Sequence, residues 1–136
     1  IERENITQVI NYLTFNYSAR FSNNIESSIN FLHSIFGEIQ VFQPKYEIDV
    51  LNTYKKNKIS FSLGANFKLE NYGLNYKSEL FKMKSYINVF LDGSYKISDN
   101  LDFNFNLNNI LNRYNERFFM YPELGLNFLV GIKWVF

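Results

Sequence analysis

His33 is the only imidazole in the chain, so any histidine-based acid–base chemistry would have to pass through it. A catalytic histidine needs an acid or hydroxyl partner within hydrogen-bond reach. No catalytic motif surrounds His33, and a structural or interface position is expected. The closest carboxylate pair in the polar connections, Glu47 and Asp49, alternates along a loop with no histidine or third acid nearby. Neither a metal site nor acid–base work is supported there. No glycine loop could cradle a phosphate. The absence of cysteine excludes a thiolate zinc site and a disulfide framework and leaves the compartment open. These residues predict a protein that is not an enzyme and uses no cofactor.

Binding is the other chemistry on offer. In "NRYNERFFMYPE", residues 112–123, Arg113, Arg117, Tyr114 and Tyr121 supply charge and stacking surface for an anionic ligand. Phe118 and Phe119 in the same stretch are expected to anchor a rim. Net charge is +1, with both signs scattered along the chain. The basic stripe of a nucleic-acid binder is missing, so no nucleic-acid partner is expected.

The elements that would position these residues have period two. In "KISFSLGANFKL", Ile59, Phe61, Leu63, Ala65, Phe67 and Leu69 alternate with Ser60, Ser62, Gly64, Asn66 and Lys68, the signature of a half-buried strand. "YINVFLDGSYKI" and "LDFNFNLNN" repeat the rule across "SDN", residues 98–100, and predict a tight hairpin. The second run puts Asp102, Asn104, Asn106 and Asn108 on its polar face. Residues 25–41 fit a helix or a strand, and the surrounding pattern favours a strand. The expected strands are 8–21, 26–42, 58–69, 73–82, 85–97, 101–111 and 124–136. Segments 43–57 and 112–123 would be long polar connections. Links near 22–25, 70–72 and 98–100 look tight, and the short link at 83–84 fits this alternation less well.

A chain of 136 residues, 46% hydrophobic and 19% aromatic, is long and apolar enough for one folded domain. Alternation alone suits a soluble β-sandwich or closed barrel with its apolar face inward. Three features favour a transmembrane β-barrel instead. The expected strands mostly run about 10 to 14 residues, against a mode of about 5 to 6 in globular sheets and about 9 to 11 for a tilted membrane strand. The polar face carries Asp, Lys, Glu and Asn, which a wet lumen accommodates. Rings cluster at Phe118, Phe119 and Tyr121 and again at Trp134 and Phe136, as girdles at two interfaces require. Lys45, Lys55, Lys56 and Lys58 would then form a solvated face or touch lipopolysaccharide. Seven strands are too few for the smallest bacterial barrel, about eight. With a start at Ile1 and no signal-peptide pattern, the chain is expected to be the C-terminal part of a larger barrel.

The last fifty or so residues resemble the C-terminal end of TonB-dependent outer-membrane receptors. "NILNRY" supplies Asn109, Ile110, Leu111, Asn112, Arg113 and Tyr114 where that family has Asn-Leu-Phe-Asp, basic residues and Tyr. "YPELGLNFLVGIKWVF" supplies Pro122, Gly125, Phe128, Gly131 and Phe136 in the family's order, with Leu126 where Arg is usual. The resemblance implies an antiparallel barrel of about 22 strands, of which 1–136 form roughly the last third. It also implies a plug and a TonB-contacting segment outside this sequence, a Gram-negative outer membrane, and uptake of a scarce solute such as a siderophore, haem, cobalamin or glycan. The rival readings are another outer-membrane barrel, either a passive porin or a small barrel enzyme, and a soluble β-barrel binding module. In the final stretch, Phe128, Val130, Ile132, Trp134 and Phe136 share one face. A terminal strand of this kind resembles the signal read by the barrel-assembly machinery through strand pairing.

Overall fold

The computed structural model describes residues 11–36 and 40–136. Its long strands are β1 (Asn11–Arg20), β2 (Ile25–Ile35), β3 (Tyr46–Lys56) and β4 (Ile59–Leu69). A small hairpin follows, β5 (Tyr72–Leu74) and β6 (Leu80–Lys82), and then two more long strands, β7 (Tyr86–Ser98) and β8 (Leu101–Asn108). A second small hairpin, β9 (Glu116–Phe118) and β10 (Tyr121–Pro122), leads into β11 (Asn127–Trp134). The seven long strands form one sheet in the order β1-β2-β3-β4-β7-β8-β11, every pair antiparallel. The described residues contain no helix.

Register separates the two faces cleanly. One row crosses all seven strands through Ala19, Ser27, Asn52, Leu63, Leu91, Leu107 and Phe128; the next, on the opposite face, runs through Arg20, Glu26, Thr53, Ser62, Asp92, Asn106 and Leu129. Because the side-chain period is two, every apolar residue in register with the first row shares its face. Two glycines let neighbouring rings lie flat on the sheet. A Cβ built on Gly93 would fall inside the Phe105 ring on the apolar face, and one on Gly64 would fall inside Phe90 on the polar face.

Among the described residues nothing covers the apolar face. Extensive contacts between long strands run only between sheet neighbours, and Phe15, Leu63, Phe128 and Ile132 are all at least half exposed. Among the described residues the buried apolar side chains are Met83 and Pro44, both in connections. A soluble sandwich would bury this face against a second layer; the described residues supply none.

The short connections, 21–24, 57–58 and 99–100, lie at one end of the sheet, and the long ones, 36–45, 70–85 and 109–126, at the other. This alternation is stricter than the sequence predicts, because two expectations are corrected. Segment 43–57 is mostly strand β3. Its period is masked by Asn52 on the apolar face, Leu51 on the polar face and Lys55–Lys56 at its end. Segment 73–82 is not a crossing strand: Asn75 Oδ1 accepts from the Lys77 and Glu79 N–H groups at 2.8 and 3.0 Å, and Ser78 takes φ 61°, so the chain reverses between β5 and β6. The two differences offset, and the count of seven stands. The link at 70–72, expected to be tight, and the ill-fitting link at 83–84 both belong to one long connection between β4 and β7. The ambiguous 25–41 segment is strand over Ile25–Ile35, shorter than the expected 26–42, whose residues 37–39 lie outside the described ones. Positions 8–10 of the expected first strand also lie outside them. The strands expected at 101–111 and 124–136 are trimmed to β8 and β11.

Candidate functional site

The long connections are held by side-chain amides acting as backbone surrogates. Asn115, nearly fully buried, accepts from Ile87 N–H through Oδ1 at 3.2 Å and donates to Ile87 O through Nδ2 at 2.8 Å, pairing with β7 as a strand would. Asn109, in the left-handed region at φ 51°, donates to the Arg113 and Leu124 carbonyls and accepts from Arg113 N–H. Its own N–H donates to Asn88 Oδ1 at 3.0 Å, and Asn112 Oδ1 accepts from Leu126 N–H at 2.9 Å. Asparagine tolerates this backbone and bonds locally to it. The "NILNRY" stretch is therefore a clamp that folds 109–126 back over the sheet end.

Rings then join the three long connections. Phe42 packs edge-on against Phe118 with centroids 5.2 Å apart, and Phe81 against Phe119 at 5.0 Å. Phe42 N–H also donates to Tyr72 O at 2.6 Å. Between these loops lies a cavity of about 650 Å³. Phe42 also lines a second, smaller one of about 70 Å³, shared with Lys68, Tyr86, Arg117 and Glu123. Lys68 and Tyr86 stand on the polar face of the sheet. The small cavity thus joins the loop cluster to that face.

The four loop residues singled out in the sequence are dispersed. Tyr121 lines the larger cavity and is exposed. Arg117 lines the smaller one, with its guanidinium 2.9 Å from Glu123, which also accepts a 2.8 Å bond from the Tyr86 hydroxyl. Tyr114 lines neither cavity; its hydroxyl donates to Glu116 at 3.0 Å, and that bond pushes the phenol pKa upward. Arg113 is exposed on the loop surface. Phe118 and Phe119 lie inside the cluster against other rings. Phe42, Leu74, Tyr76 and Met120 complete the cavity wall and are the residues sequence reasoning missed. Their signal was rings beside turn-forming Asn and Gly, obscured where 73–82 and the end of 26–42 read as strand.

The remaining candidates are spread over the sheet. His33 lies on the apolar face, stacked on Tyr46 at 4.7 Å. Glu47 pairs with Lys68 at 3.6 Å, and Asp49 accepts from Asn66 at 2.7 Å, both on the polar face. Among the described residues no group of three His, Cys, Asp or Glu could hold a metal. The lysines grouped in sequence part company. Lys45 sits at the long-loop end beside Glu70 at 3.4 Å, and Tyr46 and Glu70 together raise its pKa. Lys55, Lys56 and Lys58 sit at the short-turn end. Asp102, Asn104, Asn106 and Asn108 all face the polar side, where Asn106 donates to Asp92 at 2.6 Å and Asn108 accepts from Asn88 at 2.9 Å. Phe128, Val130, Ile132 and Trp134 line the apolar side of β11, and Phe136 stacks on Trp134 at 5.2 Å while fully exposed.

No protein-family model matches the sequence, and no curated protein matches it. Solved structures do match its fold. The pyoverdine outer membrane receptor FpvA from Pseudomonas aeruginosa PAO1, bound to pyoverdine, aligns over 92% of this chain with TM-score 0.67 and 19% identity. The FpvAI–pyocin S2 complex aligns over 92% with TM-score 0.67 and 18% identity, and P. aeruginosa FpvA bound to a heterologous pyoverdine over 92% with TM-score 0.65 and 19% identity. The chain spans 19 to 22% of the length of these matched chains. It therefore has the fold of about a fifth of an outer-membrane receptor: seven antiparallel strands of a barrel wall, with short turns at one end and long loops at the other.

Proposed function

We propose that this chain is the C-terminal wall of a TonB-dependent receptor in the outer membrane of a Gram-negative bacterium, working in uptake of a scarce solute such as a siderophore, haem, cobalamin or glycan. The observation that carries the reading is the two-faced sheet itself. An uncovered apolar face meets lipid, and a polar face of Asn, Asp, Ser and Lys lines a wet lumen. The edges at β1 and β11 need partner strands, because unpaired backbone groups are costly in lipid. The solved structures that share the fold add support: they are outer-membrane receptors, and two hold pyoverdines.

In this reading the short turns face the periplasm, and the loop cluster meets the extracellular solute. A plug and a TonB-contacting segment in the full-length protein couple binding to transport. The chain carries no enzymatic role. The apolar side of β11 with Phe136 is the strand recognised by the barrel-assembly machinery. The test is solute uptake by cells carrying the full-length protein. Uptake of a scarce-solute panel should vanish when TonB is deleted; uptake that persists unchanged would point to a passive pore.

A further inference from the structure

On the apolar face of the seven long strands, Lys56 is the one Lys, Arg, Asp or Glu. It ends β3 at the short-turn end of the sheet and registers with Ile59, in a row continued by Tyr95, Phe103 and Ile132. The next row toward the long loops holds Tyr54 and Phe61. Trp134 stands on the same face at the same end. Tyr54, Tyr95 and Trp134 are all exposed. The tyrosine hydroxyls that bond within the described residues are those of Tyr12, Tyr86 and Tyr114, which leaves the Tyr54 and Tyr95 hydroxyls to other partners.

The carboxylates at this end are committed elsewhere. Glu26, on the polar face, lies 4.0 Å from Arg20, and Asp99, in a turn, lies 2.9 Å from Lys96. Asp102, also on the polar face, stands across from Lys96 on one side and Lys133 on the other. Lys58 leans toward β7, its Nζ donating to the Ile97 carbonyl at 3.4 Å, and it helps Lys96 hold Asp99 below the usual carboxylate range. Lys55 and Lys56 have no ion-pair partner among the described residues.

Resting on the receptor reading above, we propose that Lys56, with Tyr54 and Tyr95 beside it, binds the headgroup of an anionic phospholipid in the leaflet at the short-turn end. Tyr and Trp belts mark the level of the headgroups, and a lysine stem lies along apolar surface while its ammonium reaches that level. The lipid phosphate accepts from the ammonium and from the phenol hydroxyls. An anionic head is favoured over a zwitterionic one, because no carboxylate on this face of the strands receives a second ammonium. Lys55 and Lys58, on the same turn, add positive field. The lipopolysaccharide contact expected for these lysines is thus replaced, since lipopolysaccharide occupies the outer leaflet, at the long-loop end.

The test is native mass spectrometry of the full-length protein in detergent micelles. The probes are dioleoyl phosphatidylglycerol, dioleoyl phosphatidylethanolamine and glycerol 1-phosphate, the free headgroup. Phosphatidylglycerol should bind about fivefold more tightly than phosphatidylethanolamine, and glycerol 1-phosphate should not compete with it. Lys56→Gln should erase the preference and Lys56→Arg should keep it. Lys133→Gln, at the same end on the polar face, should leave it unchanged. Lys56 is exposed beside a turn, so its variants keep the fold, which heat-modifiable migration checks. An undiminished preference in Lys56→Gln, or competition by glycerol 1-phosphate at the lipid's own concentration, overturns the proposal. Retention on peptidoglycan sacculi that needs Lys56, with no lipid preference, would assign this rim to the cell wall instead. TonB-dependent uptake alongside any of these outcomes would leave the receptor reading standing and sink only this inference.

Discussion

Phe105 and Asn106 are neighbours on β8 that face opposite sides of the wall, so arginine at each position measures what each face touches. Phe105 registers with Gly93 and Val130, its ring lies on Gly93, and Phe61 sits 6.1 Å away between ring centroids. Four steps of about 3.3 Å from Leu101, tilted by about 40°, place Phe105 about 10 Å above the short-turn end. That is close to the middle of an apolar band about 25 Å tall, where arginine costs about 2 to 4 kcal/mol. Asn106 instead donates to Asp92 at 2.6 Å on the polar face. Arginine there gains a carboxylate neighbour and water. Phe105→Arg should therefore lower the folding equilibrium about 30- to 700-fold relative to Asn106→Arg. Phe105→Ala separates the lost ring packing over Gly93 from the charge itself. The assay is guanidinium unfolding of the full-length protein in liposomes, followed by heat-modifiable gel migration. Equal destabilisation by the two arginines, or a larger effect at Asn106, would refute the facing assignment.

Asn115→Ala strips the side-chain partners from both the N–H and the carbonyl of Ile87, at about 1 to 3 kcal/mol for each polar group left buried and unpaired; trypsin should then cut faster after Arg113 and Arg117 in folded protein, and an unchanged rate would contradict the anchoring of this loop to β7. Gly64→Val collides with the Phe90 ring and should lower the unfolding midpoint, while adding Phe90→Ala should recover much of the loss. Simple additivity in that cycle would deny the contact. Deleting Phe136 should reduce membrane insertion while leaving solute affinity of the inserted fraction intact; normal insertion would count against its role in assembly.

The hairpin of β7 and β8 is legible from residue types because its apolar positions, Ile87 to Ile97 and Leu101 to Leu107, alternate almost without interruption. β3 is not, because Asn52 stands among its apolar positions and Leu51 among its polar ones. Asn52 can sit on the apolar face because Ser27 Oγ donates to its Oδ1 at 2.6 Å, a cross-strand partner invisible before pairing is known. The candidate site was legible only in part. Tyr121 lies in a segment whose rings and turns announce a loop, whereas Phe42 and Tyr76 come from two other connections that only the folded sheet brings together. The asparagines show the same limit: Asn104 and Asn106 read correctly as polar-face residues, while Asn109, Asn112 and Asn115 substitute for strand partners of the loop backbone.

The account stands or falls on seven strands crossing the outer membrane with loops outside and turns inside. The chain has no native cysteine, so single cysteines introduced in the full-length protein can report sidedness within it. An impermeant maleimide on intact cells should label Tyr76→Cys and Tyr121→Cys at once, and Asp99→Cys only after the outer membrane is opened. Labelling of Asp99→Cys in intact cells, or shielding of both loop positions, would contradict it.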